Sequence, residues 1–441
     1  MVKQGTFMFD LGIATFTVIG LMSGTSMDGI DAAIIKTDGI AYVEEIGYTS
    51  IPYHVYVHHL LKSAEALVRK YEGNLVKTRE RDFELALIDY FMTTMDFTVL
   101  QAKSEITAIK QHFGILDSEK ITFDRVIKIS TDLHVQTVFK LLTQHNLKPE
   151  QIRVIGYHGQ TLYHNPGKRI TVQIGDGQRL ASATGIGVVN DFRTKDVLAG
   201  GQGAPFAPLY HQALAVRDKK TPLVVVNCGG ISNITVIRNK NPESLIGFDP
   251  GPGNNLVDRF VKLRTAGRET MDVDGKHGSQ GKLNDHILGL LHKKAVKKEG
   301  KNYLALLPPK SLDVGDLFLL SELDQLSLED GCATLEVFTA DVIVESLKYI
   351  TTPYPTYWVL AGGGWYNPII KSNLAIRLRK KLGEHTEVKT ADQAGWNTRA
   401  LEAQLFAYLA VRHLKNLPTS YPQTTGVPKP IVGGQYFHPR T

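Results

Sequence analysis

A short polar run between two apolar segments near the start of the 441-residue chain could bind phosphate. It offers three hydroxyls, two glycine amides and two carboxylates, from Ser23, Thr25, Ser26, Gly24, Gly29, Asp28 and Asp31. Backbone amides in such turns form concave sites for phosphate, and nearby carboxylates can hold Mg²⁺ through water. A plain β-hairpin turn is the alternative, because Gly, Ser and Thr are common in hairpins.

Two further glycine-rich runs favour the phosphate interpretation. One contains Gly229 and Gly230, about 200 residues after the first run, and the other is residues 362–364. Two turns of this kind can clamp a polyphosphate from both sides. The chain has neither a GxxxxGK[ST] run nor a GxGxxG run after a strand, which disfavours a P-loop or a Rossmann dinucleotide site. If ATP binds, the sequence predicts the actin-like mode of binding.

Asp191 and Arg193 follow a short strand pattern and precede the glycine-rich residues 200–203, which we expect to be flexible. A carboxylate at a cleft can take a proton from a hydroxyl or a water. An arginine beside it can hold that carboxylate or a charge on the substrate. The sequence therefore predicts Asp191 as a general base, with a surface ion pair as the alternative.

Three other features stay open at this point. His158, between a strand pattern and Gly159, can reach a substrate or be a structural histidine. Glu336 lies among apolar residues of a predicted helix, at a solvated edge or pointing inward as a substrate contact. Residues 249–255 combine an acid with two prolines and two glycines, which either bring amides to a ligand or form an Asp-capped turn.

The elements that must position these residues follow from the hydrophobic pattern. The strand–turn–strand pattern occurs twice, and strands alternate with helices, which predicts an α/β fold of two similar lobes that face a cleft. We place the boundary near residues 217–221, giving an N-terminal lobe of residues 1–220 with the first turn and Asp191, and a C-terminal nucleotide-binding lobe of residues 221–441. The predicted strands are 15–21, 30–35, 154–156, 170–174, 187–189, 223–226, 231–237 and 357–360, and helices are predicted within 62–148 and at 181–184, 205–213 and 398–414.

Composition is that of an ordinary globular protein, with 43% hydrophobic and 21% charged residues. The two cysteines lie far apart, so neither a disulfide framework nor a zinc site is predicted. The net charge of +6 is spread along the chain, and the lysines between residues 293 and 301 are interpreted as a solvated helix face rather than a nucleic-acid patch. The apolar residues 7–22 predict a strand rather than a signal peptide or a membrane span. We expect a cytoplasmic protein that binds neither nucleic acid nor membrane.

Taken in order, these runs resemble the anhydro-N-acetylmuramic acid kinases over nearly the whole chain after about residue 17. The eight matching runs are Gly20-Leu21-Met22-Ser23-Gly24-Thr25-Ser26-Met27-Asp28-Gly29-Ile30-Asp31, Gly156-Tyr157-His158-Gly159-Gln160-Thr161, Gln173-Ile174-Gly175-Asp176-Gly177, Asn190-Asp191-Phe192-Arg193, Gly201-Gln202-Gly203-Ala204-Pro205, Asn227-Cys228-Gly229-Gly230-Ile231-Ser232-Asn233, Gly251-Pro252-Gly253-Asn254 and Gly362-Gly363-Gly364-Trp365-Tyr366-Asn367-Pro368.

The resemblance implies a two-lobed actin-like ATPase (ribonuclease H-like) fold with ATP in the interlobe cleft. It also implies a homodimer that phosphorylates a small-molecule anhydro sugar, 1,6-anhydro-N-acetylmuramic acid, in cell-wall recycling. The aspartate matching Asp191 activates a water, the anhydro bridge opens, and the freed 6-oxygen takes the γ-phosphate of ATP. Asp28 and Asp31 are the expected Mg²⁺ residues, and His158, Arg193 and Glu336 the expected substrate contacts. The expected ATP contacts are Gly24, Thr25, Ser26, Met27, Asp28, Gly29, Ile30, Asp31, Gly229, Gly230, Gly362, Gly363 and Gly364.

The chain departs from the family pattern at residues 310–316, which lack an arginine that the family often has after a Lys-Ser-Thr-Gly run. Residues 394–397 also differ from the sequence typical of the family, and Cys228 occupies a position where an aliphatic residue is common. A levoglucosan kinase is the nearest alternative enzyme. An actin-like ATPase module that drives a partner interaction is the alternative from another class.

Overall fold

The computed structural model describes residues 14–295, 300, 302–312 and 315–440. Lys297, Lys298 and Lys301 of the predicted lysine-rich face, residues 7–13 of the predicted first strand segment and residues 313–314 lie outside them. No helix within these ranges is long and apolar enough to cross a membrane.

The described residues form two compact units. The first consists of those in Met1–Gly203, Ala400–Ser420 and Val427–Thr441, and the second of those in Ala204–Arg399 and Tyr421–Gly426. This division differs from a single boundary near residue 220, since two C-terminal segments belong to the first unit.

Groups of strands and groups of helices follow one another along the chain, as the sequence predicts for an α/β fold. The strands in the described residues are β1 (Phe16–Ser23), β2 (Gly29–Thr37), β3 (Val43–Pro52), β4 (Ile155–Asn165), β5 (Ile170–Ile174), β6 (Val188–Asn190), β7 (Leu223–Cys228), β8 (Ile231–Ile237), β9 (Ile246–Pro252), β10 (Tyr357–Ala361), β11 (Glu387–Thr390) and β12 (Gln435–Phe437). The helices are α1 (Val55–Lys70), α2 (Leu75–Arg79), α3 (Phe83–Thr94), α4 (Val99–His112), α5 (Phe123–Gln144), α6 (Gly177–Thr184), α7 (Thr194–Leu198), α8 (Ala207–Arg217), α9 (Asn255–Arg264), α10 (Asp285–Lys294), α11 (Leu328–Glu345), α12 (Pro368–Leu382), α13 (Leu401–Leu414) and α14 (Pro422–Thr425).

The sheet of the first unit has the strand order β12-β6-β4-β1-β2-β3, with β5 paired to β4. Strands β1, β2 and β3 form an antiparallel meander, while β4 lies parallel to both β1 and β6. The carboxyl ends of these three parallel strands therefore meet at one edge, which is where ligands bind in open α/β sheets. Ser23 and Asn190 end β1 and β6 at that edge, so the first polar turn and Asp191 follow directly from it.

The sheet of the second unit repeats this pattern in the order β11-β10-β7-β8-β9. Strands β7, β8 and β9 form the antiparallel meander, and β10 lies parallel to β7 and β11. A meander with two parallel strands added beside its first strand is the ribonuclease H-like arrangement, present once in each unit. The predicted duplication of the strand–turn–strand pattern is confirmed, and with it the fold class.

Helix α13 explains why the C-terminal segment belongs to the first unit. It packs on β1, β2 and β4, and β12 adds an antiparallel strand beside β6. The helix backbone lies directly on two strand glycines: a Cβ at Gly20 would lie 1.8 Å from the Ala403 carbonyl oxygen, and one at Gly156 would lie 2.0 Å from that of Phe406. No side chain other than hydrogen fits at either position.

One predicted strand end is wrong, and one segment left open by the sequence is a strand. The strand predicted at 154–156 continues as β4 to Asn165, so His158 lies inside a strand and does not follow one. Asp249 and Gly251 lie in β9, where an Asp-capped turn was the alternative. In both segments glycines and polar residues hid a strand that is buried over most of its length.

Candidate active site

The first polar turn joins β1 to β2 as a hairpin with an exposed tip. Thr25, Ser26 and Asp28 are exposed, whereas Met27 is fully buried in the core formed largely by the helices α1 to α5. Met27 takes a left-handed backbone with φ of 56°. Its amide donates to the Gly24 carbonyl at 3.1 Å. The buried methionine therefore anchors the turn while hydroxyls and a carboxylate face solvent.

Two further groups, one just before α1 and one in its first turn, form hydrogen bonds to the backbone of the same turn. The amide of Tyr53 donates to the Asp28 carbonyl at 2.8 Å. Nδ1–H of His58 donates to the Met27 carbonyl at 3.0 Å. The turn thus has fixed backbone contacts, which suits a preorganised anion site.

The two carboxylates predicted to hold Mg²⁺ differ in their surroundings. Asp28 is exposed, while Asp31 is half-buried on β2 and accepts a hydrogen bond from the Tyr48 hydroxyl at 2.5 Å. Among the residues described, no group of three or more His, Cys, Asp or Glu side chains could hold a metal ion. One or two carboxylates nevertheless fit Mg²⁺, which keeps several waters and completes its shell with substrate phosphates.

Asp191 directly follows β6 and has a left-handed backbone, with φ of 55°. A residue other than glycine in this region costs free energy, of order 1–3 kcal/mol when strained, and such residues cluster at functional sites. The Thr194 hydroxyl, in the first turn of α7, donates to Asp191 Oδ1 at 2.5 Å. The half-buried carboxylate is therefore held in one orientation through Oδ1, and Oδ2 has no hydrogen bond to the residues that the structure describes.

His158 and Arg193 form a pair beside Asp191. The Arg193 guanidinium donates to His158 Nε2 through Nε at 3.1 Å and through Nη2 at 3.0 Å. Nδ1–H of His158 donates to the Gly159 carbonyl at 2.8 Å. Burial and the Arg193 charge hold the pKa of His158 well below its ordinary value, so the ring is neutral. Both ring nitrogens of His158, a predicted substrate contact, are thus hydrogen-bonded within the protein, and the histidine positions Arg193.

Arg193 is fixed at its other end by the glycine-rich segment that follows. Nη1 donates to the Gly203 carbonyl at 2.6 Å. Oδ1 of the buried Asp196 accepts from the Gly203 amide, also at 2.6 Å. Residues 200–203 were expected to be flexible, yet these contacts tie their end to α7. Burial lowers the pKa of Arg193 to about 10, so the guanidinium stays charged near neutral pH.

Glu402 is a functional candidate that the sequence did not reveal. It lies in the first turn of α13. Although Glu402 is exposed, desolvation by the surrounding protein atoms raises its pKa, Asp31 and Asp28 add to that rise, and Arg193 opposes it. The carboxylate therefore lies near both carboxylates predicted to hold Mg²⁺ and near Arg193. A single glutamate on an apolar helix carries no local sequence signal for such a role.

In the second unit, three glycine-rich segments that are far apart in the sequence come together. The amides of Gly253 and Asn254 donate to the carbonyls of Gly230 and Gly229 at 2.9 and 2.8 Å. A Cβ at Gly362 would lie 2.5 Å from the Cys228 carbonyl oxygen. The predicted ATP contacts Gly229, Gly230 and Gly362 to Gly364 are thus neighbours.

Asp249 connects this glycine cluster to the segment that departs from the family pattern. Oδ1 accepts from Asn233 Nδ2 at 2.7 Å and Oδ2 from the Leu312 amide at 2.9 Å. Lys310 is buried nearby, with Nζ 4.5 Å from the centre of the Tyr303 ring, and burial lowers its pKa to about 8. Lys310 therefore has an internal packing role.

Glu336 points inward from α11 and is fully buried. Asn367 Nδ2 donates to its Oε1 at 2.5 Å, while Oε2 has no hydrogen-bond partner in the part of the chain described. Burial raises the pKa of Glu336 to about 8. The hydrogen bond from Asn367 lowers this pKa, and Asp272 raises it further. Of the two alternatives for this residue, the solvated edge is excluded. A buried carboxyl with one oxygen unpaired and a strongly raised pKa is a functional-site candidate.

The profile of the anhydro-N-acetylmuramic acid kinase family matches residues 107–439. An anhydro-N-acetylmuramic acid kinase from Nitrobacter winogradskyi is 39% identical over 425 residues, which cover 96% of this chain and all of that protein. One from Rhodopseudomonas palustris is 38% identical, again over 96% of this chain and all of the relative. One from Bradyrhizobium diazoefficiens is 38% identical over 96% of this chain and 99% of the relative. Matched over nearly its whole length, the chain belongs to the anhydro-N-acetylmuramic acid kinase family.

Proposed function

We propose that this protein is an ATP-dependent kinase that opens the ring of 1,6-anhydro-N-acetylmuramic acid and phosphorylates the 6-oxygen. Water adds to the anomeric carbon, and the bond from that carbon to the bridging oxygen breaks. The bridging oxygen takes the γ-phosphoryl group of ATP, and ADP leaves. The product is N-acetylmuramic acid 6-phosphate. Membership of the family over 96% of the chain supports the reaction, because the relatives carry this kinase's name.

Asp191 is the proposed general base, and its geometry is the observation that carries the proposal. Its backbone is held in the left-handed region, and Thr194 binds one carboxylate oxygen. The other oxygen is left to take the proton of the attacking water. A positioned base contributes about 10²–10⁴-fold to rate.

Arg193, His158 and Glu336 are the proposed substrate-binding group. The charged guanidinium suits an anionic or developing negative charge on the sugar. His158 acts through Arg193 by accepting two hydrogen bonds from it. Glu336 is protonated near neutral pH and can donate from Oε2, the oxygen without a partner among the described atoms.

The proposed nucleotide contacts in the first unit are residues 24–31. Those in the second unit are Gly229, Gly230 and Gly362 to Gly364. Exposed hydroxyls and a turn anchored by buried contacts fit a polyphosphate. Mg²⁺ would be held by Asp28 and Asp31 together with phosphate oxygens, where it would neutralise charge that develops during phosphoryl transfer.

We further propose that the protein acts in the cytoplasm as a homodimer in cell-wall recycling, without a nucleic-acid or membrane partner. The support is the family, whose proposed substrate is a fragment of the cell wall. Light scattering on the purified chain tests the dimer: a mass of twice 48.8 kDa is expected.

The test of the proposed function is ADP formation with 1,6-anhydro-N-acetylmuramic acid and, in parallel, with levoglucosan. Levoglucosan is an anhydro sugar without the lactyl and acetamido groups, so it separates the two kinase alternatives. Higher kcat/KM with the muramic acid sugar supports the proposal. Slow ADP formation that neither sugar changes would favour the ATPase-module alternative.

A further inference from the structure

Gln160 reaches the first polar turn from the neighbouring strand and contacts it at two atoms. Its side chain is fully buried. Oε1 accepts from the Ser23 hydroxyl at 2.6 Å, and Nε2 donates to the Gly24 carbonyl at 3.0 Å. The Ser23 hydroxyl in turn lies 2.9 Å from the Tyr53 hydroxyl. Gln160 lies in the run Gly156 to Thr161, one of the eight that resemble the family.

A bulge in β4 aims Gln160 at the turn. The parallel register pairs Leu21 with Tyr157 but then Ser23 with Gln160, so β4 has one extra residue. Gly159 takes a φ of 74° within this bulge, and a Cβ there would lie 2.5 Å from the Ile174 carbonyl oxygen. Bulges beside active sites commonly redirect a side chain in this way.

The chemistry of the two contacts requires a carboxamide of this length. The Gly24 carbonyl can only accept, so the amide nitrogen must face it, and the amide oxygen then faces Ser23. A glutamate would lack the donor and would add a negative charge beside a proposed phosphate site. Glutamine satisfies both groups and stays neutral.

The direction of the Gly24 carbonyl decides where the next amide points. In a trans peptide, the carbonyl oxygen and the N–H of the following residue point in opposite directions. Because Gln160 and Met27 both bind the Gly24 carbonyl, the Thr25 N–H is turned away from the interior. That amide donates to no other group in the described ranges, and Thr25 is exposed.

We propose that Gln160 is a positioning residue that orients the Thr25 amide toward the polyphosphate of ATP. This inference rests on the proposed function insofar as the turn binds nucleotide. Loss of Gln160 would let the Gly24–Thr25 peptide rotate, so the amide would have to be oriented during binding, at a cost in affinity.

The test compares Gln160→Met with Gln404→Met by calorimetric titration of the full-length protein with ATP in the absence of sugar. Gln404 is a buried glutamine of the same unit whose Nε2 donates to Glu45 at 3.0 Å, away from the turn. Gln160→Met is expected to weaken ATP binding roughly tenfold, as expected for the loss of two hydrogen bonds. Gln404→Met should bind ATP as the wild type does, whatever its thermal stability.

Steady-state kinetics separate positioning from chemistry. Gln160→Met should raise the KM for ATP by a factor similar to the loss of affinity, with the KM for sugar unchanged. Ser23→Ala removes the contact of Gln160 with Ser23 but keeps that with the Gly24 carbonyl, so it can be measured even if Gln160→Met does not fold. We expect it to lower the affinity for ATP roughly threefold.

The inference is overturned if both turn variants bind ATP as tightly as the wild type, or if Gln404→Met weakens binding equally. It is also overturned if the wild type binds no ATP. If the wild type binds ATP and Gln160→Met weakens it, but neither sugar is phosphorylated, the positioning role stands and the proposed function fails.

Discussion

Asp191 combines a left-handed backbone with a carboxylate held in one orientation by the Thr194 hydroxyl, a geometry that suits the proposed general base. Asn190 to Arg193 indicated a charged pair after a strand. The backbone angle of 55° and the Thr194 contact depend on how β6 passes into α7. The sequence thus predicts Asp191 as a general base, which stays a prediction, but it does not predict the geometry of the residue.

Replacing Asp191 with Asn should abolish the base and leave binding intact. We expect kcat to fall by about 10²–10⁴-fold, with ATP and sugar affinities within about threefold of the wild type. Rapid-quench measurement of product and calorimetry of each ligand check this. Asp38→Asn, in the β2–β3 connection, is the control and should keep full activity. Full activity of Asp191→Asn would remove the residue from the mechanism.

His158 makes folding stability depend on pH in the acid range. Its pKa is lowered in the folded protein, so the unfolded chain binds the proton more readily. The contribution of His158 to the free energy of unfolding is present above about pH 6.5, which is the ordinary pKa of histidine. It is lost as pH falls below that value, by about 1.4 kcal/mol per pH unit.

We therefore expect the melting temperature to fall between pH 7 and pH 5, and to fall less in His158→Gln. His134 and His211, whose pKa values burial lowers to about 4, act the same way in both proteins. Differential scanning calorimetry of the two proteins across this range measures the difference. Equal slopes would mean that His158 titrates normally.

Glu336 has the opposite pH dependence. Its raised pKa means that the folded protein keeps a proton that the unfolded chain has lost. Its stabilising contribution is complete below the unfolded value of about 4.3 and is lost as pH rises toward about 8. Glu336→Gln mimics the protonated acid, so it should be more stable than the wild type at pH 8 by up to several kcal/mol, and close to it at pH 5. Urea unfolding of both proteins at pH 5 and pH 8 measures this difference. A wild type that is more stable than Glu336→Gln at pH 8 would contradict the raised pKa.

At the level of elements, both hairpins with glycine-rich tips were predictable because strand patterns flank them on both sides. Strand β4 beyond residue 156 and the whole of β9 were not, because glycines needed for a bulge or for close packing interrupt the hydrophobic pattern. The carboxamide of Gln160 and the side chain of Glu402 also escaped notice, since their positions depend on register and on helix packing across the chain.

Helix α13 should depend on the strand glycines beneath it. Gly20→Ala places a methyl group 1.8 Å from the Ala403 carbonyl oxygen, which α13 can avoid only by moving off the sheet. We expect a loss of about 2–4 kcal/mol in the free energy of unfolding. Gly289→Ala in α10 meets no atom within 4 Å and should be neutral or stabilising by up to about 1 kcal/mol. Denaturant unfolding compares the two; equal stabilities would refute the close packing of α13.

For the whole molecule, the hydrophobic pattern predicted two similar α/β units but placed their boundary as a single cut near residue 220. The return of α13 and β12 to the first unit is a tertiary contact that no local pattern encodes. Alternating strands and helices thus predicted the number of units, while their composition depended on packing between distant segments.

A fragment of residues 1–220 should not fold, because it lacks α13 and β12. A fragment in which residues 1–203 are joined by a flexible linker to residues 400–441 should fold. Far-ultraviolet circular dichroism with thermal melts distinguishes the two. A cooperative melt of the shorter fragment would show that α13 is dispensable.

The central claim is that one reaction couples hydrolytic ring opening to phosphorylation. The most direct test is the mass of the product formed from 1,6-anhydro-N-acetylmuramic acid, ATP and Mg²⁺ by the wild-type protein. The account predicts an increase over the substrate of one phosphoryl group and one water. A product heavier by the phosphoryl group alone, with the anhydro ring intact, would contradict it.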